Sequence, residues 1–112
     1  MSEKKALSLP AGVSEADLKK LVLQHGPLIP IRVMKDGATH TGLFKRPTLT
    51  MLSASAATGS NDPVKGLEVL YNTCKVKVDQ AMDEDDEVRF AAMKSVNGLF
   101  RVLEGEVGEA YV

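Results

Sequence analysis

Apolar and polar positions follow two rhythms along this chain, and each change of rhythm marks a predicted element. Leu18, Leu21, Val22 and His25 recur at i, i+3, i+4 and i+7, the spacing of one helical face. Ser14 precedes them as a cap whose hydroxyl can accept from the backbone N–H three residues on, with Asp17 as a short capping-box partner. Gly26 and then Pro27 end the pattern in the order that terminates helices. The period then drops to two. Ile31 and Val33 fall on one face and Arg32 and Met34 on the other. Asp36-Gly37 divides this run from Ala38-Thr-His-Thr-Gly-Leu-Phe44, and a tight hairpin needs positive φ at both turn positions. Leu43 and Phe44 break the alternation, so Gly42 is expected to mark a bulge.

Beyond the hairpin the pattern reads as helical. Lys45-Arg46-Pro47 ends the strand, and Thr48 can cap a helix over residues 48–58. Ser53, Ala54, Ser55, Ala56 and Ala57 give that helix a small-residue surface suited to close packing. Asp62 and Pro63 open the next helix as cap and first residue, and Val64, Leu67, Leu70, Tyr71 and Cys74 form its apolar face. Val76 and Val78 fit either a short strand or an extended connector. A last helix is expected over residues 86–104. Its main stripe is Val88, Ala92, Val96, Leu99 and Leu103, widened by Phe90, Met93, Phe100 and Val102. Such breadth implies burial on more than one side, within the domain or against a partner.

The expected class is α+β: an N-terminal helix, a β-hairpin and three C-terminal helices packed in one small domain. Residues 14–104 form that domain, with residues 1–13 a flexible lead and residues 105–112 a flexible tail. A chain of 112 residues with 44% apolar content suits a single core. Three Phe, two Tyr and no Trp leave aliphatic side chains and Met to fill it.

Charge narrows the class of partner. Fourteen basic and fifteen acidic residues give a formal charge of −1, without the net basic balance that phosphate binding favours. The N-terminal half leans basic and residues 79–87 are strongly acidic, a polarity read as mainly solvated surface. A single cysteine excludes an internal disulfide. The polar start of the chain lacks a signal-peptide core, and no run approaches a membrane span. The protein is therefore expected in a cytoplasm, with no membrane partner.

Candidate chemistry fails residue by residue. A calcium-loop pattern begun at Asp83 meets Val88 where Gly is needed and Lys94 where Glu belongs. His25 and His40 lie on different predicted elements, and one cysteine offers no zinc spacing. Cys74 continues an apolar stripe rather than facing a base. There is no GxGxxG or Walker-type loop, and Ser53 and Ser55 lack a nucleophile elbow. No catalytic, cofactor-binding or metal-ligating residue is assigned, and no enzymatic activity is expected.

The order of these pieces resembles the small tail assembly chaperones of long-tailed bacteriophages and prophages. The hairpin ends Leu43-Phe-Lys-Arg-Pro47 and leads at once into a helix. Asp62-Pro63 opens a helix ending Tyr71-Asn-Thr-Cys74, and Asp83-Glu-Asp-Asp-Glu87 introduces a terminal helix containing Phe90. The resemblance spans about residues 14–104. It implies a non-catalytic assembly factor of the infected host's cytoplasm that binds a helical tape-measure protein or tail-tube subunits and is absent from the finished virion. Phe44, Lys45, Arg46, Met93, Val96 and Phe100 are the expected partner-binding residues, and Met51, Met82 and Met93 offer adaptable apolar contacts. Arg46 is expected to pair with an acid of residues 83–87. Two other readings stay open: a tail or head–tail subunit that homo-oligomerises, and a small regulatory or nucleic-acid-binding protein.

Overall fold

A computed structural model describes residues 9–100 and 103–112. The fold is α+β in one small domain. Helix α1 spans Glu15–His25, strands β1 and β2 span Ile29–Lys35 and Ala38–Phe44, and helices α2 and α3 span Leu49–Gly59 and Pro63–Cys74. Strand β3 (Lys75–Val78), the short helix α4 (Gln80–Glu84) and helix α5 (Asp86–Asn97) complete it. The sheet is antiparallel with β2 in the centre, flanked by β1 and β3.

Local signals set most of these elements. Asp36 and Gly37 take φ of 50° and 80°, and the turn they make fixes a register in which Ile31 faces Gly42 and Ile29 faces Phe44. Thr48 Oγ1 accepts from Met51 N–H at 3.2 Å, and an Asp62 carboxylate oxygen accepts from Lys65 N–H at 3.2 Å. Residues 75–78, open between strand and connector on sequence, form a strand because β2 offers them a free edge. The register irregularity of β2 lies between Leu43 and Phe44, one step beyond Gly42. Gly42 is needed for another reason: a Cβ there would sit 2.7 Å from Met82 Sδ, Phe44 Cε1 and Val78 Cγ1. It lets α4 settle directly on the sheet.

Helices α3, α4 and α5 cover one sheet face. Their core joins Ile31 and Phe44 to Leu70, Tyr71, Cys74, Met82, Val88, Ala92, Met93 and Val96. Phe44 and Tyr71 meet with ring centroids 5.5 Å apart and planes tilted by 54°. Small residues bring α2 onto α3 as closely as their composition predicts. Ser55 Oγ donates to the Gly66 carbonyl at 2.6 Å, and a Cβ on Gly66 would lie 2.8 Å from Gly59 Cα.

The opposite sheet face carries the N-terminal segment. Residues 1–8 of the expected lead lie outside the described residues, but Pro10 is fully buried and Ala11 N–H donates to Asp79 at 2.5 Å. The other Asp79 oxygen accepts from Thr41 N–H at 2.8 Å, while Asp79 N–H donates to the Thr41 carbonyl at 3.0 Å. Lys77, opposite Leu43 in the register, lines a groove with Leu21 and Gln24 of α1. The sheet thus carries α3–α5 on one side and the lead on the other, with α1 set across that groove from Lys77.

Helix α5 corrects the expected boundary. It ends at Asn97 rather than near residue 104, and Gly98 N–H caps its last turn by donating to the Lys94 and Ser95 carbonyls. An apolar stripe continued past Gly98, but Asn97-Gly98 is a stronger local stop than that pattern is a continuation signal. Val88, Ala92, Met93 and Val96 are all buried, so most of the breadth of this helix is taken up inside the domain, while Phe90 stays exposed. Val102 lies outside the described residues.

Candidate interaction surface

The residues expected to bind a partner separate into two groups. Phe44 and Val96 are fully buried and Met93 is 4% exposed, so these three build the chain's own core and present no outward face. Phe100 is half-buried. Lys45 and Arg46 do come together, beside a groove of about 400 Å³ that also takes in His25, Ile29 and Met51.

Arg46 does not reach the acidic run. Its Nη1 donates instead to the Leu99 carbonyl at 2.9 Å, which holds the chain leaving α5 against the strand end. The acids find other partners. Lys35 Nζ lies 2.7 Å from Asp85 and 2.8 Å from Glu87, while Lys75 Nζ lies 3.1 Å from Asp83. Asp85 also caps α5, accepting from Glu87 N–H at 2.9 Å and Val88 N–H at 3.1 Å. These bonds, the one from Lys35 above all, hold its carboxyl below the usual range and push the Lys35 ammonium up. Asp83 accepts from the Tyr71 hydroxyl at 2.9 Å, and burial is the main cause that pushes that phenol up. Asp79, Asp83, Asp85 and Glu87 thus also bind within the fold, while Asp83, Glu84, Asp86 and Glu87 remain exposed, in keeping with a mainly solvated surface.

Other side chains offer little chemistry. Cys74 is buried with its sulfur 3.8 Å from Met51 Sδ, and burial pushes its thiol up. Among the described residues no three His, Cys, Asp or Glu side chains converge as metal ligands. Likewise, none of the described helices is long and apolar enough to cross a membrane.

The surface that sequence reasoning missed is on α1. Ser14 and Asp17 form the expected capping box at 3.1 Å in each direction, which holds the Asp17 carboxyl below the usual range. Gly26, at φ 85°, ends the helix with its N–H on the Val22 carbonyl. Despite these firm ends the helix contains no buried residue. Leu21 faces the groove shared with Lys77, whereas Leu18, Val22 and Leu23 line an apolar patch beside Lys19. Leu23 is 88% exposed. The signal was the consecutive run Leu21-Val22-Leu23, which widens the stripe of this helix just as Phe90 and Met93 widen that of α5.

No known family model matches the chain, nor does any curated protein or solved structure.

Proposed function

We propose that this protein is a non-catalytic tail assembly chaperone that holds a helical segment of a tape-measure-type client against α1, in the cytoplasm of a bacterial host. The observation that carries this reading is an amphipathic helix, capped at both ends, that buries none of its side chains and leaves Val22 and Leu23 exposed. A client helix with apolar residues at i, i+3 and i+4 would cover Leu18, Val22 and Leu23 together. Lys19 and Lys20 flank that patch and suit a client with acids beside its apolar stripe. The resemblance of the hairpin, the Asp62-Pro63 helix and the acidic connector to tail chaperones supports the same reading.

Burying one exposed leucine contributes roughly 1.5–3 kcal/mol, or about ten- to a hundredfold in affinity. Co-expression of the chain with the tape-measure-type protein of its own genome is the test. The wild type is expected to keep that client soluble and to co-purify with it, and Leu23→Asp to lose both while melting at the same temperature. Undiminished capture by Leu23→Asp would remove α1 from the interface. Retention of the protein in purified particles would favour the tail-subunit reading instead.

A further inference from the structure

The Lys45–Arg46 groove lies apart from the α1 patch, and the chain itself contains a segment of matching chemistry. The groove is floored by Ile29, Pro27 and Met51 and rimmed by Lys45, Arg46 and the His25 imidazole, with no acid among its described lining residues. Residues 103–112 carry Glu104, Glu106 and Glu109 and no basic residue. They form no helix or strand and are exposed throughout, with Leu103 at 76%, Val107 at 96% and Tyr111 at 103%. In an extended strand, side chains alternate between two sides. Leu103, Val107 and Tyr111 then share one edge with Glu109, while Glu104 and Glu106 share the other. The apolar side chains of the first edge suit the floor, and the acids, two on one edge and one on the other, suit the basic rim.

We propose that residues 103–112 of one copy dock in the Lys45–Arg46 groove of a second copy, giving a dimer that exchanges these segments. The Arg46–Leu99 bond places the departure point of the segment beside the groove of the same copy. Residues 103–112 nevertheless lie in solvent, Leu103 being already largely exposed. Root and groove being neighbours, a two-fold axis near Arg46 lets both segments cross at once and satisfies both grooves, the self-complementary arrangement of a symmetric dimer. The rim attraction acts between exposed charges, so it weakens as salt rises.

Sedimentation equilibrium on three chains tests this. The first is the wild type, the second carries Glu104→Lys, Glu106→Lys and Glu109→Lys, and the third carries Lys45→Glu. The wild type is expected to dimerise, more weakly at high salt, and each reversal to weaken self-association at least tenfold. An equimolar mixture of the two variants is expected to recover a heterodimer, because the basic segment then meets the Lys45→Glu groove and the acidic segment the unaltered basic one. Val107→Ser with Tyr111→Ser removes only exposed side chains, leaves folding untouched and is expected to weaken the dimer as well. A monomeric wild type, a dimer indifferent to the reversals, or a mixture that fails to associate would each overturn the proposal. The last result would mean that the segment folds back on its own copy.

Discussion

Helices α1 and α5 carry similar sequence credentials and meet opposite fates. Each has a well-made N-terminus, from Ser14 with Asp17 in one and from Asp85 in the other. Each has more apolar residues than one narrow stripe holds. In α5 most of the excess is consumed, because α3, α4 and β1 surround it and Val88, Ala92, Met93 and Val96 are buried, leaving Phe90 exposed. In α1 the excess is left over, because no other described element packs closely on the helix, which borders β3 only across the groove lined by Leu21 and Lys77. Apolar breadth alone therefore does not identify a binding face. The number of neighbours competing for it does, and that number is a property of topology.

Four measurements put this contrast to the test. The largest effect is expected from Val96→Asp, which buries a charge at a fully enclosed site. About 4 kcal/mol or more should be lost, enough to abolish cooperative thermal unfolding in a domain of this size. If that variant melted normally, α5 would not be the covered helix. Next is Gly66→Val at the α2–α3 crossing, where the added carbons meet Gly59 and the Ser55 carbonyl. It should cost about 1–3 kcal/mol in urea denaturation while leaving α5 packing intact.

A smaller effect should follow pH through the Lys35 clamp that ties β1 to the start of α5. Asp85 titrates below its ordinary 3.8 in the fold, so its contribution is present above that value and lost as pH falls through the depressed one. Lys35 titrates above its ordinary 10.5, so its contribution is present below 10.5 and lost as pH rises through the raised value. Thermal melts should therefore show a plateau between these limits, and Lys35→Met should lower the plateau and flatten its alkaline edge. An unchanged profile would mean that the clamp is decorative. The smallest effect is expected on α1, where Leu23→Asp should shift stability by no more than about 0.5 kcal/mol. A large shift there would show that α1 is covered after all.

What could be read in advance was whatever depends on residues close in sequence. Ser14 with Asp17, Asp36-Gly37, Thr48 and Asp62-Pro63 each act within a turn or two of backbone, and the elements that they start or join fall where expected. The small residues of α2 foretold a close crossing because size alone limits approach. Contacts that span the chain could not be read. Lys35 meets Asp85 across fifty positions, and no local feature of either says so. Arg46 meets the Leu99 carbonyl instead of a carboxylate, while Asp85 and Asp83 pair with Lys35 and Lys75. Phe44, Met93 and Val96 were rightly seen as apolar and conspicuous, but whether such residues face inward depends on which helices arrive. Gly98 was visible and was outweighed by the leucines beyond it.

The junction where α3 becomes β3 has a practical consequence. Its carbonyl at Cys74 accepts from Lys45 N–H at 2.9 Å, tying the end of α3 to the end of β2, and the only thiol of the chain is sealed beneath. A sealed thiol of raised pKa reacts with electrophiles only while that seam is parted. The rate at which this sulfur consumes a labelling reagent therefore counts how often the centre of the domain opens, with no probe added. Bound client or a second copy, if either braces the core, should slow that count.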